Sequence, residues 1–284
     1  MSNRSILISA DSTCDLPAEL LQQHNITLAN LIVTKNDEEF YDNVTITPAD
    51  IFAHVAAGGD LCKTAALGVG VYQDLFEQYA KEYDAVIHIS LGSGFSSSYQ
   101  NAFLAADEFD NVRVIDSQNL TTGQGFVVLK ACELAQTGND LDQIVNELNA
   151  FVDRVEISFV VENLTYLVKG GRCSSAAALG ANLLNLKPCI ELKNGKMSVG
   201  KKYRGSFDKC LASYVKDRLA NRDDIDWDKT FITYTPVSDS ALDLVRNAVA
   251  ELGHFSTITE SKAGCTISCH CGPGTLGIIF VRNA

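Results

Sequence analysis

Short runs of consecutive apolar residues alternate along this chain with longer stretches in which apolar positions recur every third or fourth residue. Residues 5–10, 85–91 and 112–116 are short, mainly apolar runs of strand length, the pattern of buried parallel strands. Between them, residues 17–24, 48–57, 71–83, 97–109 and 123–136 carry helical spacing, so the first half predicts strands and helices alternating around a parallel sheet. Some boundaries carry their own chemistry. Thr47-Pro48-Ala49-Asp50 sets a hydroxyl cap, a proline in the first turn and an acid three residues on, which together satisfy orphan amides and the helix dipole. Asp15, ahead of Leu16-Pro17, reads as the cap of the first helix.

Past residue 155 the pattern changes. Residues 156–161 are strand-like and 176–185 helical; 188–192 leads through Lys193-Asn194-Gly195-Lys196 into 197–203. Asn-Gly between two strand-like runs predicts a hairpin, because both central residues must accept positive φ, and antiparallel pairing therefore enters here. Helical stretches at 207–220 and 241–252 then alternate with strands at 230–234, 257–261 and 276–281. The expected architecture is α/β in two domains: a parallel α/β domain over residues 1–152 and an α+β domain over 153–284.

Composition narrows the function classes. The chain has 284 residues, 46% hydrophobic and 20% charged, an ordinary globular balance, and its length suits two modest domains. A net charge of −12 and a pI near 4.8 argue against nucleic-acid or anionic-membrane surfaces, which need clustered Lys and Arg. The opening residues hold one Arg and a short apolar run ending at Asp11, neither a signal peptide nor a membrane span, so a cytoplasmic location is expected. Nine scattered cysteines, an odd number, read as reduced thiols.

Candidate chemistry gathers where strands end, the usual ligand edge of an open α/β sheet. Asp11-Ser12-Thr13-Cys14-Asp15 follows the first strand. Gly92-Ser93-Gly94-Phe95-Ser96-Ser97-Ser98 follows another and opens a helix; its glycines allow close approach, and its hydroxyls and free amides suit a carboxylate or phosphate. It lacks the Gly-Lys-Ser/Thr of a P-loop and the third glycine of a dinucleotide fingerprint. Two more turns are Lys63-Thr64-Ala65-Ala66 and Cys269-His270-Cys271-Gly272-Pro273-Gly274. His24, His54, His88 and His254 read as structural histidines. His270 differs, being set among small residues before a Gly-Pro-Gly turn, which predicts a ring fixed by backbone in a tight loop.

Together, Asp-Ser-Thr-x-Asp-Leu-Pro at 11–17, the Thr64 turn, the segments 92–102, 114–125 and 166–172, and His-Cys-Gly-Pro-Gly at 270–274 resemble the DegV family of bacterial lipid-binding proteins, in order and nearly end to end. The better-studied members serve as the acyl-carrying subunit of fatty acid kinase. The resemblance implies a long-chain fatty acid as ligand, with its chain in the N-terminal domain and its carboxyl near the interdomain cleft. It implies no cofactor or metal, no catalysis by the chain alone, and a separate kinase subunit as partner. Thr64, Ser93 and His270 fall at its carboxyl-binding positions, with Gly94, Phe95 and Ser96 nearby; Asp11, Ser12, Arg172 and Arg204 are candidates for support or partner contact. The chain departs from the family pattern at Ala65, Leu67 and Ser97, where serine, proline and glycine are usual.

Two other readings are open to the residues themselves. Ser93 or Ser90, then Asp116, then His270 follow the chain order of an α/β-hydrolase triad, although His88 stands where the nucleophile elbow needs its first glycine. Cys265, Cys269, His270 and Cys271 offer metal-ligand types, but without the two-residue gaps of zinc knuckles.

Overall fold

The computed structural model of the chain describes residues 5–178 and 186–284. In its first half β1 (Ile6–Asp11) leads through a 3-10 turn (Ser12–Cys14) to α1 (Ala18–Gln23), β2 (Thr27–Ala29), β3 (Ile32–Lys35) and β4 (Glu38–Tyr41). Then come α2 (Pro48–Ala56), β5 (Lys63–Ala65), α3 (Val69–Ala80), β6 (Ala85–Ser90), α4 (Ser98–Ala106), β7 (Val112–Asp116), α5 (Thr121–Leu134) and α6 (Leu141–Val152). The second half runs β8 (Val155–Val161), α7 (Thr165–Gly170), α8 (Ser174–Ala177), β9 (Leu186–Lys193), β10 (Lys196–Arg204), α9 (Phe207–Leu219) and β11 (Ile225–Tyr234). It ends with α10 (Asp239–Leu252), β12 (Thr257–Lys262), α11 (Cys265–Cys271) and β13 (Thr275–Arg282).

A parallel sheet of order β2-β1-β6-β7 carries the first half, beside a small antiparallel sheet of order β4-β3-β5. The second half forms one six-stranded sheet, β10-β9-β8-β13-β11-β12, antiparallel except between β11 and β12. Among the described residues, every strand pairing lies on one side of residue 152. All of β6 is buried, as its mainly apolar run predicts, including the polar His88 and Ser90. Its Val86 face packs with Tyr72 and Phe76 of α3 and Ala102 and Ala105 of α4, while Ile87 and Ile89 face α5.

α5 joins the halves. Eleven of its fourteen residues are buried, as expected of a helix between two sheets, and the buried polar ones, Thr121, Thr122 and Gln124, are hydrogen-bonded. A side chain at Gly123 would put its Cβ 2.1 Å from Ile157 on β8, and one at Gly125 would sit 2.8 Å from Leu16. The glycines thus let α5 approach both walls. Thr122 bonds Thr233 at 2.6 Å, and the rings of Phe126 and Phe231 meet edge to face at 5.0 Å. On the far side of the six-stranded sheet, Leu211, Tyr214, Val245 and Val249 of α9 and α10 pack on Val160, Ile232, Ile278 and Phe280.

Most sequence expectations hold within two or three residues. Thr47 and Asp50 form the reciprocal capping box, and Asn194 and Gly195 take φ of 50° and 68° at the β9–β10 turn. Two readings are corrected. The N-cap of α1 is Pro17; Asp15 sits at φ 47° and sends its carboxylate to Gly264 N at 2.9 Å, 249 residues away. His270 lies on a helix, α11, rather than in a loop, because buried carboxylates from the first half cap the amides of that helix. Of the helix expected over 176–185, Ala176 and Ala177 lie in α8, and residues 179–185 lie outside the described residues.

Candidate functional site

β5 ends beside α11, and between them, the loop after β6, and β10 lies a cavity of about 50 Å³. Its polar wall is Thr64, Ser96, Arg172, Thr266 and His270; its apolar wall includes Leu31, Leu91, Phe95, Leu120 and Met197. Behind it lies a second, almost wholly apolar cavity of about 20 Å³, between the start of α5 and the six-stranded sheet. The two share Leu120, Ile267 and Cys271 as a partition. The walls of the deeper cavity come mostly from the second half, including Ile157, Phe159, Thr233 and Ile279. The apolar space of these two cavities lies between the sheets.

Thr64 Oγ1 and His270 Nε2 are hydrogen-bonded at 2.8 Å, joining residues 206 apart in sequence. The other ring nitrogen, Nδ1, has no hydrogen-bond partner among the described residues and lies against Gly170, where an added Cβ would come within 2.5 Å of it. The glycine of the Lys-Gly-Gly-Arg stretch thus makes room for the ring. Burial, and then the nearby Arg172 guanidinium, push the His270 pKa down to about 4. The imidazole is neutral at pH 7. Arg172 itself bonds Gly170 O at 2.8 Å and Phe95 O at 3.4 Å, which places the one positive charge on the cavity wall at its rim.

Ser93 and Gly94 do not line this cavity. Ser93 is exposed, and both its hydroxyl (2.6 Å) and its amide (3.0 Å) bond Asp116. Gly94 packs instead on the hairpin tip, where any side chain would collide with Gly195 O. Phe95 and Ser96 do reach the wall, with Ser96 Oγ also bonded to Ser98 Oγ at 2.9 Å. Arg204 stands exposed at the end of β10, the edge strand, away from the cavity lining.

The first-strand motif frames the site without touching it. Asp11 is fully buried and accepts bonds from Tyr72 OH (2.6 Å), Ser90 Oγ (2.8 Å) and Leu91 N (2.7 Å). Burial alone would raise its pKa, but His88, Tyr72 OH and Leu91 N hold it below the usual carboxylate range. Ser12 bonds Asp42 and Leu31 N. Asp42 accepts Cys265 N (2.8 Å) and Thr266 N (3.3 Å), and Asp15 accepts Gly264 N and Thr121 Oγ1, so the first half caps the helix that carries His270. Burial, with Asp42 close by, raises the Asp15 pKa well above its ordinary value despite these bonds.

Neither rival arrangement forms. A hydrolase triad needs the imidazole between serine and carboxylate. Here Ser93 bonds Asp116 directly, Ser90 bonds Asp11, and His270 bonds Thr64. A Ser9–His88–Asp11 chain does exist, at 3.0 and 3.3 Å, but all three residues are sealed in the core, as expected of a structural His88. Cys265 and Cys269 face away from the cavity, toward Ile46 and Cys62, and no group of three or more metal-ligating side chains occurs among the described residues. No described helix is long and apolar enough to cross a membrane.

Sequence reading missed Thr266. It lies one helical turn before His270 on the same face of α11, and a lone threonine in a Cys-rich run carries no sequence signal.

With this geometry in place, comparison with known proteins is specific. The description "Uncharacterised protein, DegV family" matches residues 5–283. A DegV domain-containing protein of Clostridium acetobutylicum is 31% identical over 282 residues, covering 98% of this chain and 99% of that one. Among solved structures, a fatty-acid-binding DegV family protein from Thermus thermophilus aligns with a TM-score of 0.88 at 28% identity, covering 98% of this chain and 100% of that one. DegV, a fatty acid binding protein from Bacillus subtilis, aligns with a TM-score of 0.81 at 28% identity, covering 99% and 100%. The chain belongs to the DegV family.

Proposed function

We propose that this protein binds a long-chain fatty acid between its two sheets and presents the carboxyl group at the Thr64–His270 end to a separate fatty acid kinase, without catalysing a reaction itself. The observation that carries the reading is the paired cavity: an apolar interior that ends in a hydroxyl–imidazole pair with one guanidinium at the rim. The solved relatives from Thermus thermophilus and Bacillus subtilis are described as binding fatty acids, which supports it.

Affinity in this arrangement comes from the tail. Burying methylenes is worth about 0.8 kcal/mol each, so a long chain has ample gross driving force. Ligand pockets commonly need about 300 Å³ or more, so a full chain must push aside the Leu120–Ile267–Cys271 partition and join the two cavities. Part of the gain is spent on that opening. The neutral Thr64–His270 pair holds the carboxyl by modest hydrogen bonds, leaving an oxygen lone pair available to take a phosphoryl group from the partner's nucleotide. Arg172 at the rim and Arg204 on the edge strand are exposed cations placed to meet an acidic partner surface.

The direct test is denaturing extraction of the purified protein followed by mass spectrometry. A stoichiometric long-chain fatty acid is expected, together with acyl phosphate formation only when a fatty acid kinase and ATP are added. Absence of any acyl species, with no uptake of offered fatty acids, would overturn the reading.

A further inference from the structure

The polar wall of the larger cavity holds one side chain with no polar atom partnered by the described residues. Thr266 is 4% exposed, lines the cavity, and its Oγ1 has no hydrogen-bond partner among the described residues. Threonine in a helix commonly returns its hydroxyl to a carbonyl in the preceding turn, but Thr266 makes no such bond. Its main chain, by contrast, is firmly placed, with Thr266 N on Asp42 Oδ2 at 3.3 Å. A buried hydroxyl without a partner destabilises the fold, whereas a methyl group of the same shape would fit at no such penalty.

We infer that Thr266 is a ligand-binding residue whose hydroxyl donates to the second oxygen of a bound carboxylate, while the first oxygen rests on the Thr64–His270 pair. This rests on the fatty-acid reading. Residues four apart on a helix share a face, with Cβ atoms roughly 5–6 Å apart. A carboxylate accepts on both oxygens at about 2.7 Å from a hydroxyl, so one group spans Thr266 and His270. Ser93, at the family's carboxyl-binding position, is placed differently: it would first have to leave Asp116, to which it is held by two bonds. Thr266 gives up nothing to take the ligand.

The test compares delipidated full-length protein with Thr266→Val and Thr266→Ser, using oleate and methyl oleate as probes. Thr266→Val should bind oleate about tenfold more weakly, the loss of one hydrogen bond to a charged group. Thr266→Ser should keep most of the affinity. Methyl oleate, whose uncharged ester accepts weaker hydrogen bonds, should bind parent and Thr266→Val nearly alike. Without ligand, Thr266→Val should melt at or above the parent temperature, since the hydroxyl it loses has no partner; a purely structural threonine would give the opposite shift. Unchanged oleate affinity in Thr266→Val, or a lower melting temperature of its ligand-free form, would overturn the assignment while leaving the fatty-acid reading intact. Failure of the parent itself to bind oleate would overturn both.

Discussion

Whether the carboxyl meets a neutral donor or a cation depends on His270, and pH can decide it. Its pKa falls from 6.5 to about 4 in the folded protein, through burial first and Arg172 second. A base whose folded pKa is depressed resists protonation when folded, so as pH drops below 6.5 the unfolded chain takes up the proton first. The associated stability is complete above about pH 6.5 and is lost progressively toward pH 4. A gap of about 2.5 pKa units corresponds to about 3 kcal/mol at its fullest. Urea unfolding of ligand-free parent and His270→Gln, repeated from pH 7.5 to 4.5, isolates this group, because other titrations such as that of Asp15 are common to both. The parent should lose stability relative to His270→Gln by an amount approaching 2 to 3 kcal/mol, roughly, at the acid end. A bound carboxylate beside the ring reverses part of the shift, so oleate binding near pH 5.5 should take up protons, visible in calorimetry as a dependence on buffer ionisation enthalpy. Parallel stability curves for the two proteins would refute a neutral, buried His270.

Two further substitutions test the site's packing. Gly170→Ala places a Cβ 2.5 Å from His270 Nδ1, so the ring must shift off Thr64; a cost of about 1–3 kcal/mol in urea unfolding and weakened oleate binding are expected, although the backbone there tolerates alanine. Ile267→Ala removes the partition between the cavities and should destabilise the ligand-free protein by about 2–5 kcal/mol. Saturating a long-chain acid at a hundred times its dissociation constant should return about 2.7 kcal/mol. Ile267→Phe should shift preference toward shorter chains, and chain-length profiles identical to the parent in both variants would place the tail elsewhere.

The parts of the fold that were legible are those whose signal is local. β1, β6 and β7 are short, mainly apolar runs, with β1 and β6 covered on both faces of the parallel sheet, and the Asn194-Gly195 turn needs only its own two residues to declare positive φ. β2, β3, β4 and β5 are three or four residues long, too short to establish a period. α6 did carry a start signal, since Asp140 and Gln143 form a capping box, but the Gly-Asn-Asp stretch before it reads as a loop that ends rather than begins an element. α11 was illegible for a deeper reason. Cys-Thr-Ile-Ser-Cys-His-Cys contains no strong helix former, and what makes it a helix is the pair of carboxylates, Asp15 and Asp42, that cap its amides from more than two hundred residues away.

The same physics explains why motifs located the site without fixing the roles within it. Glycines, hydroxyls and the histidine marked segments where backbone comes close, and Thr64, Phe95, Ser96, Arg172 and His270 do converge on one cavity. Composition alone could not tell which polar residue faces the ligand and which holds a neighbour. Asp11 grips Leu91 N, Ser12 grips Leu31 N, and Asp42 grips Thr266 N, so three residues of the apolar or polar wall are each set by a buried group from the first half. A polar side chain already bonded to backbone has little left to offer a ligand, which moves Asp11 and Ser12 into the frame and Ser93 onto Asp116. The converse points to Thr266: its hydroxyl is buried on the cavity wall with no partner among the described residues, and so is free to bind something that comes and goes.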